Sequence, residues 1–293
     1  MKKLCLKIAV AMIASIGLFT TSASAANRTV NCDEGQSIQD AVEKGQGSAA
    51  PLYIDVSGSC EEVVTITRDD VTIDGDETAT VTGTIVVEGG RRINISAITI
   101  TGPGPGVVAA SGDLKLRYVV ITGNTGFGIL VAESSQVGIA RSTISNNLHG
   151  VVAGKGSSVI VRNTSIDGNE DVGIALEDNS TVAIYKSIIS GNSSGIAAFT
   201  GTVHIEGTTI SGNDHGIDAS FHSTVRVNDS AIINNAEMGI NLEFDSGLHT
   251  SDNVAISGNG DVDVFCSDTE SSFHDGSDTG AEVECTDFNQ LEP

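Results

Sequence analysis

The chain of 293 residues contains no tryptophan, and aromatic residues make up only 4% of it. Deep carbohydrate clefts are commonly floored by large aromatic side chains, so this shortage argues against one. Cations are also scarce. There are 15 Lys+Arg against 38 Asp+Glu, for a formal net charge of −23. A surface so negative disfavours nucleic acid and anionic membranes as partners. No Cys-x-x-Cys, no His-Glu-x-x-His and no phosphate-binding glycine loop occurs. Zinc-ribbon, zinc-protease and P-loop chemistry are thereby excluded. Nowhere does a sustained i, i+3, i+4 apolar pattern run, so the chain is not built of amphipathic helices.

What the chain does have begins at its N-terminus. Lys2, Lys3 and Lys7 precede an apolar run from Ile8 to Phe19, and Ala23-Ser24-Ala25 supplies small residues beyond it. This is the pattern of a secretory signal over residues 1–25, cut after Ala25, and it is too short to read as a membrane span. The remainder, 26–293, is expected to be secreted or periplasmic and monomeric. Its four cysteines lie near its ends, and the preferred pairing in an oxidising compartment is Cys32–Cys60 and Cys266–Cys285. Four cysteines permit two other pairings.

The dominant signal is periodicity. Ile73, Ile95, Leu116, Ile139, Val161, Ile184, Ile205 and Val227 follow one another at 21 to 23 residues. Two residues before them sit Val71, Ile93, Leu114, Val137, Val159, Val182, Val203 and Val225. Such alternation marks a short strand with one face inward. A second apolar column runs from Ile100 to Ile256, and a third starts at pairs such as Gly150-Val151 and Gly195-Ile196. Three short strands per repeat make a three-sided solenoid in which each coil buries its apolar residues against its neighbours. Asn124, Asn147, Asn169, Asn192, Asn213, Asn235 and Asn259 recur at 21 to 24 residues. Their spacing predicts a hydrogen-bonded ladder inside a turn.

These coils resemble the right-handed parallel β-helix repeats of the pectate-lyase-like superfamily, over roughly residues 50–265. The resemblance implies an all-β, single-stranded parallel β-helix of about 8–9 coils. It is specific for fold and weak for activity, since that superfamily includes lyases, hydrolases, epimerases and proteins without known chemistry. The paired-Asp pattern of its hydrolases is not matched here. An N-terminal cap over 32–60 would contain a short helix at 37–44, N-capped by Ser37 and ended by Gly45. A C-terminal cap would span 260–293.

Within this framework the cations are unevenly placed. Of nine between Arg91 and Arg226, eight fall on or beside one strand of the repeat: Arg91, Arg92, Lys115, Arg117, Arg141, Arg162, Lys186 and Arg226. Lys115, Arg117, Arg162 and Arg226 alternate with the inward residues and should point outward. The stripe is a candidate track for an acidic polysaccharide, contacted by Arg92, Lys115, Arg117, Arg162, Lys186 and Glu206. Removing the C5 proton of a uronate needs a cation at the carboxylate and a base at the proton. Arg226 or Arg162 offers the first, and His204 or Tyr185 the second. The alternative is that strand edges tolerate long side chains paired to nearby acids. A separate acidic group, Asp214, Asp218, Glu237 and Asn241, occupies equivalent places on successive coils and is a candidate Ca²⁺ site. Two functions follow: an acidic-polysaccharide binder with lyase-like chemistry, or a non-catalytic exported scaffold or adhesion module.

Overall fold

The computed structural model describes residues 25–276 and 279–285, and the expected signal segment lies outside them, apart from Ala25. The described chain winds into a parallel β-solenoid of about 12 turns. A representative coil has Gln136–Ala140 on a first face, Thr143–Ser145 on a second and His149–Ala153 on a third. Each of these strands pairs in parallel with its equivalents one coil before and one coil after. The third face forms an 11-stranded sheet. The first two belong to one 20-stranded sheet, because strands such as Val71–Thr82 run through both.

The register follows from the alternation in the sequence. Val159, Val182 and Val203 stand in line on the first face, as do Val161, Ile184 and Ile205, all of them buried. Ile144, Ile166, Ile189 and Ile210 line the second face in the same way. A continuous apolar column fills the interior, and burying each side chain as large as Ile contributes about 1.5–3 kcal/mol.

Polar ladders run beside it. The side-chain oxygen of Asn169 accepts from the backbone N–H and the Nδ2 of Asn147, at 3.1 and 3.0 Å, and the relation repeats from Asn124 to Asn259. A second ladder joins Ser142, Thr164, Ser187, Thr208 and Ser230, whose hydroxyls accept from the backbone N–H one coil earlier. These bonds satisfy turn amides that the strand ladders leave buried and unpaired. The glycines ahead of the third face serve close packing. A Cβ on Gly150 would lie 2.3 Å from the carbonyl of Gly173 and 3.1 Å from Asn169 Nδ2.

Two readings of the sequence need correction. The solenoid has more coils than the 8–9 expected. Leu52–Ser57 continues the first-face columns, with Leu52 and Ile54 in register with Val71 and Ile73 but 19 residues before them instead of 21 to 23, and Ser272–Asp275 extends the face with Phe273 in line with Leu248. Strand pairing needs only alternation, so the coil persists after the repeat signature fades. The helix forms at Ile38–Glu43, and Ser37 accepts from the backbone of Asp40. However, Gly45 does not end it by a left-handed turn; a Cβ there would stand 2.7 Å from Leu52 Cδ2. Glu62 also caps this helix, accepting from the backbone N–H of Ile38 and Gln39. Ile38 and Val42 are fully buried against the start of the core. The disulfides are Cys32–Cys60 and Cys266–Cys285.

Candidate functional site: the basic face

The outward columns of the first face carry the stripe. In one, Lys115, Gly138, Ile160, Ala183, His204, Arg226, His249 and His274 stand in register. In the next, Arg117, Ala140, Arg162, Tyr185 and Glu206 do so. Gly138 and Ala140 are too small to fill their place. A shallow groove of about 300 Å³ opens over them, bordered by Lys115, Arg117 and Arg162.

Lys115, Arg117, Arg162 and Arg226 are exposed, and among the described residues none of the four forms an ion pair. In a protein with more than twice as many acids as bases, unpaired cations on one face create a local positive field. Arg92 behaves differently. It forms a bidentate bond to Asp70, at 2.6 and 2.7 Å, and reaches Asp69 at 3.3 Å. That bond holds the Asp70 carboxyl below its ordinary range. Arg92 is thus committed to the coil before it, as the salt-bridge alternative requires. Lys186 lies in the turn just past the strand end, with a left-handed backbone, and borders the face from there.

Tyr185, His204, Glu206 and Arg226 form a contiguous group. The Arg162 guanidinium lies 4.9 Å from the Tyr185 ring centre, and the Tyr185 and His204 rings are 5.9 Å apart. His204 Nε2 stands 3.8 Å from Glu206 Oε2. Arg226 follows His204 directly in register. The structure therefore gathers a cation, a phenol, an imidazole and a carboxylate on three neighbouring coils, all on the outward side of the face. A cation can hold a carboxylate there while an adjacent phenol or imidazole takes a proton. Sequence reasoning passed over His249 and His274, although they continue the column at the repeat spacing.

The acidic group is organised around a residue outside the expected set. His215 bonds Asp218 Oδ1 through Nδ1 at 2.8 Å and Glu237 Oε2 through Nε2 at 2.7 Å. Ser194 donates to the other oxygen of Asp218 at 2.6 Å. Burial opposes charge on this imidazole, but the two carboxylates outweigh it and raise its pKa above the ordinary value. Asp214 and Asn241 border the same depression. As placed, Asp218 and Glu237 enclose a proton-bearing ring. Among the described residues, their oxygens do not converge on a common ligand point. The group that does converge is Cys32, Cys60 and Glu62, and its two sulfurs are spent in a disulfide. Asp218 and Asn241 lie on the third face, away from the basic stripe.

One sequence match is structural. Gly191-Asn192-Ser193-Ser194-Gly195 spells Gly-x-Ser-x-Gly, yet Asn192 is a buried rung of the ladder and the next element is the strand Ser194–Phe199. A nucleophile elbow requires a strand-to-helix turn.

Comparison with known proteins agrees with this architecture. The family model described as "Right handed beta helix region" matches residues 83–224, a little under half of the chain. No curated protein matches. Among solved structures, an alginate lyase from Paenibacillus sp. str. FPU-7 superposes with a TM-score of 0.57 at 14% identity, covering 81% of this chain and 99% of that one. Pectate lyase Pel9A gives 0.54 at 12%, covering 93% and 83%. The periplasmic alginate epimerase AlgG gives 0.51 at 13%, covering 88% and 84%. At such identities the likeness is one of fold. Among the described residues no helix is long and apolar enough to cross a membrane. The chain thus folds as a parallel β-helix like these structures, and residues 83–224 match the right-handed β-helix family model.

Proposed function

We propose that this protein is exported and binds an acidic polysaccharide along its first face, with Tyr185, His204 and Arg226 placed for lyase-like proton abstraction. The observation that carries the reading is the set of four unpaired cations, Lys115, Arg117, Arg162 and Arg226, on one face of a strongly acidic chain. An extended polyanion lying on that face is within the Debye length, about 8 Å at physiological salt, so the local field governs it more than the net charge. The solved neighbours include a pectate lyase and an alginate lyase, whose named substrates are polyuronates, which supports the choice of polymer class. Two disulfides support an oxidising destination.

Arg226 neutralises the uronate carboxylate, which acidifies the C5 proton, and His204 or Tyr185 takes that proton. The C4–O bond then breaks as a C4=C5 double bond forms, and the departing oxygen takes a proton from the conjugate acid of the base or from water, which leaves an unsaturated sugar. If a divalent cation joins the protein at Asp214, Asp218, Glu237 and Asn241, it competes there with the proton on His215. The test is incubation with pectate, alginate and glycosaminoglycans, with and without Ca²⁺, following both binding and ultraviolet absorbance of the unsaturated product. Binding with no product leaves a carbohydrate-binding solenoid.

The scaffold reading keeps one observation of its own. Val86, Val108, Leu130, Val152, Ala175 and Ala197 align in register on the outside of the third face. An apolar outward column of this kind suits docking to another surface.

A further inference from the structure

Three of the eight phenylalanines stand at the same corner of successive coils: Phe199 at the end of the strand Ser194–Phe199, and Phe221 and Phe244 in the turns that follow the next two third-face strands. They are 49%, 38% and 52% exposed; the Phe221 and Phe244 rings stack with centroids 4.4 Å apart, and the Phe199 ring meets Phe221 at 4.3 Å, tilted by 44°. They pack on one another, yet each keeps a third or more of its surface exposed, and turn chemistry does not call for them. Phe221 and Phe244 have left-handed backbones, with φ of 54° and 51°, a conformation unfavourable for bulky side chains. The corresponding turns of earlier coils carry Glu133-Ser134, Lys155-Gly156 and Asp178-Asn179. Polar residues and glycine are the usual occupants of such turns. Aromatic residues replace them in these three coils.

Each of these turns leads directly into a strand of the first face: Thr202–Glu206, Thr224–Asn228 and Gly247–Ser251. The outward residues at the middle of those strands are His204, Arg226 and His249, in register with one another. An aromatic rail and a column of imidazoles and a guanidinium thus run side by side over the same three coils. Both repeat once per coil, about 4.8 Å.

We propose that Phe199, Phe221 and Phe244 form an apolar wall of the binding face, on which the pyranose rings of an acidic polysaccharide rest their C–H faces while a carboxylate meets Arg226. The proposal rests on the reading of the first face given above and deepens it. It orients the polymer along the solenoid axis and places its tightest-held segment over the coils of residues 199–249. A wall of this kind supplies contact energy that salt does not screen, whereas the cations supply a part that salt does screen.

The test is calorimetric titration of the disulfide-bonded protein with oligogalacturonate and oligomannuronate, over a range of salt. The rail variant is Phe199→Ser, Phe221→Asn, Phe244→Asn, whose polar residues suit these turns. Circular dichroism and melting temperature verify that it folds. Loss of apolar contact at three rings should lower its affinity about tenfold or more, with the salt slope unchanged. Wild-type binding that the rail variant retains in full overturns the rail and leaves the first face standing. Absence of any binding by the wild type removes both. Dimerisation of the wild type in sedimentation, abolished in the rail variant while oligosaccharide binding persists, would assign the rail to a second copy of this chain and overturn the proposal.

Discussion

The Arg162 guanidinium lies over the ring of Tyr185, 4.9 Å from its centre, one coil away on the same outward column. The cation is therefore held by a π face instead of a carboxylate. At an exposed position such a contact contributes about 0.5–1 kcal/mol, too little to commit the guanidinium against a polyanion. Tyr185→Phe keeps the ring and should preserve binding. If the Tyr185 phenol is the base, that change should lower lyase turnover by about 10²–10⁴-fold, and if the imidazole is, His204→Ala should do so. Steady-state rates on the polymer that the protein binds measure both. Full activity in both variants removes this group from the chemistry.

The core makes a harsher demand. Ile184 is fully buried between Val161 and Ile205 of the neighbouring coils. Truncation to Ala should cost about 2–5 kcal/mol. Ile184→Asp should cost more, because it buries a charge with no partner. Chemical denaturation monitored by circular dichroism measures both. An Ile184→Asp protein that melts like wild type contradicts the inward register.

The Asn ladder offers a milder test. Asn192 accepts from both the backbone N–H and Nδ2 of Asn169, at 3.0 Å each. Asn192→Ala orphans those two buried donors, and leaving a buried group unsatisfied costs about 1–3 kcal/mol. The loss should appear as a lower denaturation midpoint with an unchanged slope.

His215 links stability to pH. Its pKa in the folded chain is raised by Asp218 and Glu237, against the opposing effect of burial. The folded state therefore binds the proton more tightly than the unfolded state. The resulting stabilisation is fully present below the ordinary imidazole pKa of about 6.5, and it is lost as pH rises through the higher folded-state value. His215→Gln should flatten this part of the stability profile in thermal melts across neutral pH.

Much of this molecule is legible in its sequence because a solenoid repeats its constraints. Alternation at Val159 and Val161 recurs at Val182 and Ile184, so each coil confirms the inward register of the last. The cysteines fall near the ends, where pairing is local. The coil count is less legible, since Leu52–Ser57 joins the columns at a shorter spacing and Ser272–Asp275 keeps only Phe273 of the apolar alternation. Site chemistry is less legible still. Arg92 and Arg226 look alike in sequence, yet only the fold brings Asp69 and Asp70 to the first. The bridging of two acids by His215 and the ring contacts of Phe199, Phe221 and Phe244 depend on side-chain directions at turns, where the period-two rule lapses.

The central claim is that Lys115, Arg117, Arg162 and Arg226 are unpaired because they face a polyanion. The most direct measurement is the affinity for oligogalacturonate and oligomannuronate as a function of salt, for wild type and for Arg117→Ser, Arg162→Ser, Arg226→Ser. These side chains are outward and exposed, so the variant should fold and melt as wild type does. The account predicts wild-type binding at low salt that weakens as salt rises, with the triple variant binding at least about tenfold more weakly and with a shallower salt dependence. No wild-type binding at low salt, or a triple variant that binds as tightly as wild type, would contradict it.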